Sequence, residues 1–497
     1  MFTTKLTKDT KVFFMNTRLL TLSTGVLLAA TLTLDPLGAT SSSSPIYALK
    51  GARIFTAAGA PIENGTIVLR NGVIEDVGAN VTAPADAIVI EAAGMNVYPG
   101  LIDMGNEAPL ESADAAAGGA GGPGGGGGRG AASPFPTLEE AERAKRANIM
   151  RPDFRSADNL RTSSPAQTQL ASAGITTVLA VPSSGIFKGQ SALVNVVIPA
   201  DDPQIGSLAD YRRGLAVVKS PVAMHINMAG RGGGQGYPNS LLGSIAFTRQ
   251  GLLDAQWQRD ATAHFVRTGG RGPRPLVEPA LDSLQPALAR QIPSAFDAAE
   301  PREIDRVLAM AAEFNLDPIV VGASGAAERT AELQKAKARV ILSVNFPTGR
   351  GGGAGAAGGG GGRGGGAGGP SLNQLKAQAN APKTPAALAQ AGIPFALTSG
   401  GANPADFVRN AGRAIKEGGL SQDAALRALT IDAAKIAGAA DRVGSLEKGK
   451  IANLVVTQGD LFDGGTVRHV FVDGLPVTIG PAAAPATGRG GRGGGER

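Results

Sequence analysis

The chain holds three histidines, His225, His264 and His469, and no cysteine. The missing cysteines remove disulfides, thiolate metal sites, cysteine nucleophiles and lipoprotein anchoring in one step. A metal centre built on imidazole would have to recruit nearly all three histidines, from three distant segments. His225 ends an apolar strand-like run, AMHIN at 223–227, where it is a hydrogen-bonded structural side chain or a general base facing inward. His264 sits in the polar helix-like stretch 255–267, and His469 in a terminal β segment. None joins a serine and an acid in a recognisable triad, and no Gly-x-Ser-x-Gly elbow is present.

Two glycine-bearing loops carry the remaining polar candidates. Residues 182–190 (PSSGIFKGQ) follow the strand-like run GITTVLAV and bring Ser183, Ser184 and Lys188 to the expected ligand face. These three could hold an anionic or peptide-like group; an ordinary βα loop is the alternative. Residues 230–238 (GRGGGQGYP) carry Arg231 and Tyr237 in a similar setting. Neither loop ends in the lysine-Ser/Thr pair of a P-loop, so nucleotide cleavage is unsupported.

The elements that would position these residues alternate in type. Apolar runs at 174–180, 221–226, 318–321, 340–344 and 394–397 read as strands. Helical patterns follow several of them, at 302–313, 326–337 and 404–417. Strand–helix alternation with short connections predicts a parallel sheet, and this length favours its closure into a barrel. The ends differ. Residues 48–90 and 442–478 carry short alternating strands broken by Asn-Gly and Gly turns, a β-meander pattern. Two β segments flanking an α/β body predict one small sheet domain assembled from both ends.

A chain of 497 residues is long enough for two folding units. Of its 72 glycines, 31 cluster in residues 113–132, 348–370 and 481–497, which cannot bury enough side chain to offset backbone ordering. The first two read as flexible inserts and the last as a disordered tail. The formal charge of +6 gathers in the first residues (Lys5, Lys8, Lys11, Arg18) and as single arginines in glycine runs. No basic stripe interleaves with aromatics, so a nucleic-acid partner is not expected. Those cations precede the apolar run 19–34 and the small-residue region 36–39, the pattern of a cleaved export signal over 1–39, with Met15 as a second possible start. An uncleaved anchor is the alternative, although the run is short for a span of ~20 residues.

Five segments in order, VYPGLID (97–103), GITTV (174–178), LSQDAALRALTIDA (420–433), DRVGSLEKGKIANLVV (441–456) and TVRHVFVDG (466–474), resemble the amidohydrolase superfamily, in its imidazolonepropionase-like branch. The resemblance covers essentially the whole mature chain outside the glycine inserts. It implies an α/β fold: a (β/α)8 TIM-like barrel over 98–440, with a small composite β-sandwich domain from 46–97 and 441–480. It also implies a periplasmic or secreted hydrolase of non-peptide or small peptide-like C–N bonds, acting on a small molecule or paired with a homologous subunit. Membrane contact is expected only through the export signal.

In that family the PGLID strand continues into a His-x-His pair that meets a metal at the barrel mouth, since residues two apart on a strand point the same way. Here Gly105 and Glu107 stand at those places. The next two histidine positions match Asp297 and Gly322, and the last-strand aspartate matches Gly400, with Ser399 one residue away. Glycine offers no side-chain ligand, and a catalytic zinc needs about three N or O ligands. The resemblance therefore predicts no resident transition metal. Glu107 and Asp297 could still hold a hard cation such as Mg²⁺ or Ca²⁺. Glu107, Asp297 and His225 are the residual candidates for catalysis; a ligand- or partner-binding pseudoenzyme is the alternative function.

Overall fold

A computed structural model describes residues 45–111, 137–161, 165–196, 217–229, 237–346, 372–477 and 479. The expected export signal, both glycine inserts, Arg231 and the tail from 481 lie outside the described residues. The strands in chain order are β1 (Tyr47–Ile54), β2 (Ile62–Arg70), β3 (Val73–Gly78), β4 (Ile88–Glu91), β5 (Asn96–Pro99) and β6 (Leu101–Asn106). Next come β7 (Ile175–Ala180), β8 (Phe187–Gln190), β9 (Ala192–Asn195), β10 (Val217–Lys219) and β11 (Met224–Ile226). Then follow β12 (Ser294–Ala298), β13 (Pro318–Gly322), β14 (Arg339–Ser343), β15 (Phe395–Thr398), β16 (Leu454–Gln458), β17 (Thr466–Val472) and β18 (Leu475–Pro476). Among the described residues no helix is long and apolar enough to cross a membrane.

The two ends of the chain meet in one eight-stranded sheet, in the order β18-β17-β16-β5-β1-β2-β3, with β4 on β1. Asn71 and Gly72, at φ of 52° and 80°, make the tight turn that folds β2 onto β3. β16 pairs antiparallel with β5 through Leu454↔Pro99 and Val456↔Val97, which brings the late segment beside the early one. Leu49, Ile54, Ile67, Leu69, Val97, Leu454 and Phe471 bury one apolar face of this sheet. β5 runs directly into β6 through Gly100. A Cβ at Gly100 would stand 2.0 Å from Thr176 Oγ1, so only glycine lets the two backbones approach there.

β11 to β15 run parallel in consecutive order, and β6 runs parallel to β7. Alternate residues of β12–β15 enter two different cores. Ala295, Ile319, Ile341 and Ala396 pack with Ile102, Met104, Leu179 and Leu193. Phe296, Val320, Val340 and Leu397 pack the other way, against helical residues such as Ile304, Val307, Phe407 and Ala411. Burial on both faces explains why these strands read as continuous apolar runs. The covering helices have clear ends. Pro301 opens the helix Pro301–Glu313, and Glu303 accepts from the backbone N–H groups of Ala299 and Glu300 at 2.9 and 3.1 Å. Asn403 caps Pro404–Lys416 by accepting from Ala405 N at 3.0 Å.

The fold is mixed α/β, and not all of its described strands are parallel. β8 and β9 lie antiparallel to β11 and β7 respectively. The short segment after β7 thus serves two sheets, β8 pairing with β11 and β9 with β7. The 182–190 stretch, read from sequence as a loop, contains the strand β8. The expected helix over 326–337 is also broken, into a 3-10 turn Ala326–Glu328 and a helix Thr330–Lys335.

Candidate functional site at the strand ends

β6 and β15, the two outermost parallel strands, lie side by side and are stitched together by side chains. Asp103 on β6 is fully buried. Its Oδ1 accepts from the Thr398 hydroxyl and from Ser399 N, each at 2.9 Å. Its Oδ2 accepts from Ser399 Oγ at 2.5 Å and from Asn106 Nδ2 at 3.1 Å. Thr398 Oγ1 also lies 3.0 Å from the Gly105 carbonyl. Burial pushes the Asp103 carboxyl above the ordinary carboxylate range, and the donors from Ser399, Asn106 and Thr398 oppose that push. A buried carboxylate with four donors is a satisfied group, suited to holding strands in place.

This clasp governs the first expected metal position. A Cβ at Gly105 would lie 2.9 Å from Thr398 Oγ1, a contact that real side chains do not make without something shifting. Glu107, just past β6, is exposed. Gly322 ends β13 at φ of 92°, and Gly400 follows β15 at φ of 60°. A Cβ there would meet Ala298 O at 3.7 Å and Ser343 Oγ at 3.5 Å respectively, so space exists but the backbone is left-handed. The one-residue alternative, Ser399, is committed to Asp103.

Asp297 lies on the face of β12 that also carries Ala295, in register with Val321. Its carboxylate faces a cation: Lys188 Nζ lies 3.1 Å from Asp297 Oδ2, with the two side chains 9% and 29% exposed. His225 is next to this pair. It sits on β11, paired with Ala295 of β12 on one side and Gly189 of β8 on the other. The ring is completely buried, and among the described residues neither nitrogen has a hydrogen-bond partner. Burial first, and the Lys188 charge second, depress its pKa well below the usual value, so the imidazole is neutral near pH 7.

The expected ligand group Ser183, Ser184 and Lys188 is thus divided. Ser183 and Ser184 are exposed, and Ser184 Oγ accepts from Arg151 at 2.8 Å. Lys188 turns inward because it belongs to β8. His264 is exposed on the helix Leu241–Arg267, and His469 pairs with Val456 at the composite sheet. The Lys188–Asp297 pairing and the Asp103 clasp carried no signal in the sequence, since 109 and 296 residues separate their partners.

Do these residues suit the divalent metal that the family resemblance brings with it? Asp297 already has a cationic partner, and a second cation beside the Lys188 ammonium would be repelled. Three of the five positions are glycine. Among the described residues no three His, Asp or Glu side chains gather as a metal-holding group. The donor set does not fit the metal.

Residues 369–477 match the model of the Amidohydrolase family. The fold is similar to the crystal structure of an amidohydrolase from Thermotoga maritima MSB8, with 21% identity and a TM-score of 0.66 over 87% of this chain and 100% of that one. It is also similar to the structure of an uncharacterized protein, with 16% identity and a TM-score of 0.50 over 88% of this chain and 100% of that one. A 56-residue segment is 43% identical to the dihydroorotase of Geobacter sulfurreducens, spanning 11% of this chain and 13% of that enzyme. Residues 369–477 are thus similar to the Amidohydrolase family, and the mixed α/β fold is similar to that of a solved amidohydrolase.

Proposed function

We propose that this protein is an exported amidohydrolase relative, from the imidazolonepropionase-like branch, that binds a small molecule in a closed barrel without metal-dependent hydrolysis. The observation that carries this reading is the Lys188–Asp297 ion pair at 3.1 Å, where the resemblance puts a metal ligand. A metal lowers the pKa of its bound water to about 7, and without it the family's hydrolytic water has no activating group. The neutral His225 does not replace that function on its own, because it is sealed from solvent. The family match at 369–477 contains only one of the five expected metal positions, Gly400, so it speaks for ancestry rather than for chemistry.

Hydrolysis of non-peptide or small peptide-like C–N bonds is the competing reading. Turnover of cyclic amides, N-acyl amino acids and dipeptides, measured with added Zn²⁺, Mn²⁺ or Mg²⁺, separates the two. No ion should raise turnover above that of the Asp297→Asn variant. Ion-dependent turnover that this substitution abolishes would overturn the proposal.

A further inference from the structure

The outer edge of the composite sheet holds a groove of about 540 Å³, whose lining includes Val68, Glu75, Asp76, Val81, Thr82 and Lys448. That is room for a small organic molecule. β3 is the last strand of this sheet. The turn at 447–450 is tied to its edge: Gly449 N donates to Ile74 O at 2.8 Å, and Ile74 N donates to Lys450 O at 2.9 Å. Beyond Ile74 the groove is walled by β3, by Lys448 of that turn and by the loop after β3. Its charges are unevenly matched. Glu75 pairs with Arg70 at 2.8 Å, and Glu447 pairs with Lys450 at 2.7 Å. Asp76 and Lys448, both exposed, are left over: among the described residues neither has an ion-pair partner, and they do not reach each other. Asp76 Oδ1 accepts from Val77 N at 3.0 Å, which leaves Oδ2 open. Among the described residues, no protein acceptor takes the backbone N–H groups of 79–83 either.

We propose that this groove binds a small zwitterion carrying an α-ammonium and a carboxylate, a free amino acid or a short peptide. The ligand carboxylate accepts from Lys448 Nζ and the loop amides, and the ligand ammonium donates to Asp76, both charge-assisted contacts. Val68 and Val81 meet its carbon chain. A ligand with one charge alone leaves either Asp76 or Lys448 unmatched, so both ends are required. Because both protein charges face solvent, binding is weak and is best read by a local probe. The groove shares no residue with the Lys188–Asp297 site, so the inference does not depend on how that site works.

The sequence supplies that probe, since Asn-Val occurs at three places, 80–81, 96–97 and 195–196. Protein carrying ¹³C-carbonyl asparagine and ¹⁵N-valine reports three amides: Val81 in the groove wall, and Val97 and Val196 in the buried core. Val81→Ile assigns the first. Glycine and triglycine are the ligands tested. N-acetylglycine, which lacks the ammonium, and glycinamide, which lacks the carboxylate, are controls at matched ionic strength. A zwitterion should move the Val81 signal saturably and leave the other two in place. The lower half-saturation concentration tells free amino acids from peptides. Lys448→Met and Asp76→Asn should each raise half-saturation about threefold or more, and Lys448→Arg should not. If neither zwitterion moves Val81, if all three signals move together, or if either control acts as strongly, the proposal falls. So it does if Lys448→Met or Asp76→Asn leaves half-saturation unchanged. None of these readouts uses turnover or metal content, so the result is distinct from the fate of the strand-end site.

Discussion

Lys188 and Asp297, 109 residues apart, close a 3.1 Å ion pair on the inner side of β8 and β12. Removing one partner leaves a largely buried charge without compensation, which costs more than the pair contributes. With Asp297 partly exposed, Lys188→Met should lower unfolding free energy by about 1–2 kcal/mol, below the range for fully buried pairs. Lys188→Met combined with Asp297→Asn should recover part of that loss. Urea denaturation of the wild type, both single variants and the double variant gives the coupling. Additive losses would show that the two side chains do not interact.

The Asp103 clasp predicts a specific pH dependence. Its carboxyl is raised in the folded protein, so the folded state binds the proton more tightly than the unfolded state does. Its stability contribution is therefore complete below the ordinary carboxylate pKa of ~3.9 and declines as pH rises toward the raised folded value. Asp103→Asn removes that decline. It should also cost about 1–3 kcal/mol at acid pH, because an NH2 group then faces the Ser399 or Thr398 donors. The stability advantage of wild type over Asp103→Asn should shrink with rising pH, measured as paired Tm values. An advantage that grows with pH would contradict the assigned direction.

Restoring side chains at the glycine positions should separate them. Gly105→Ala meets Thr398 Oγ1 at 2.9 Å and should lower Tm measurably; Thr398→Ser, which keeps the hydroxyl, should not rescue it. Gly400→Asp meets only Ser343 Oγ at 3.5 Å, and aspartate tolerates φ near 60°. It should fold with a loss of about 1 kcal/mol or less. Gly322→His, at φ of 92°, should cost more than Gly400→Asp. Thermal unfolding of the three variants ranks them.

Gly100 offers the sharpest steric prediction. A methyl group there would overlap Thr176 Oγ1, Cγ2 and Cβ at 2.0, 2.6 and 2.8 Å. Gly100→Ala should destabilise by more than about 2 kcal/mol, in the range of overpacked cores. Wild-type-like urea unfolding of that variant would show that β6 and β7 can separate at no cost.

Much of the parallel sheet was legible because its strands are short apolar runs followed by amphipathic helices with proline, glutamate or asparagine at their starts. β12 to β15 and the helices Pro301–Glu313 and Pro404–Lys416 are of this kind. The meander at both ends was legible from Asn71-Gly72 and the alternating pattern. β8 was not, because FKGQ lacks a run of β-branched residues. Its antiparallel partner, β11, comes from a separate later segment, so local spacing does not reveal the pairing. The positions of Gly105, Asp297, Gly322 and Gly400 came from the family resemblance. What occupies the space instead, Lys188 against Asp297 and Thr398 against Gly105, depends on contacts between distant segments that spacing does not encode. Glycine at a ligand position is visible in a sequence; the backbone angle that keeps it glycine is not.

Equilibrium dialysis of the untagged protein against Zn²⁺, Mn²⁺ or Mg²⁺, followed by elemental analysis, tests the central claim most directly. The Lys188–Asp297 pair predicts a metal content far below one ion per chain, unchanged by Asp297→Asn. One ion per chain, lost on Asp297→Asn, would contradict it.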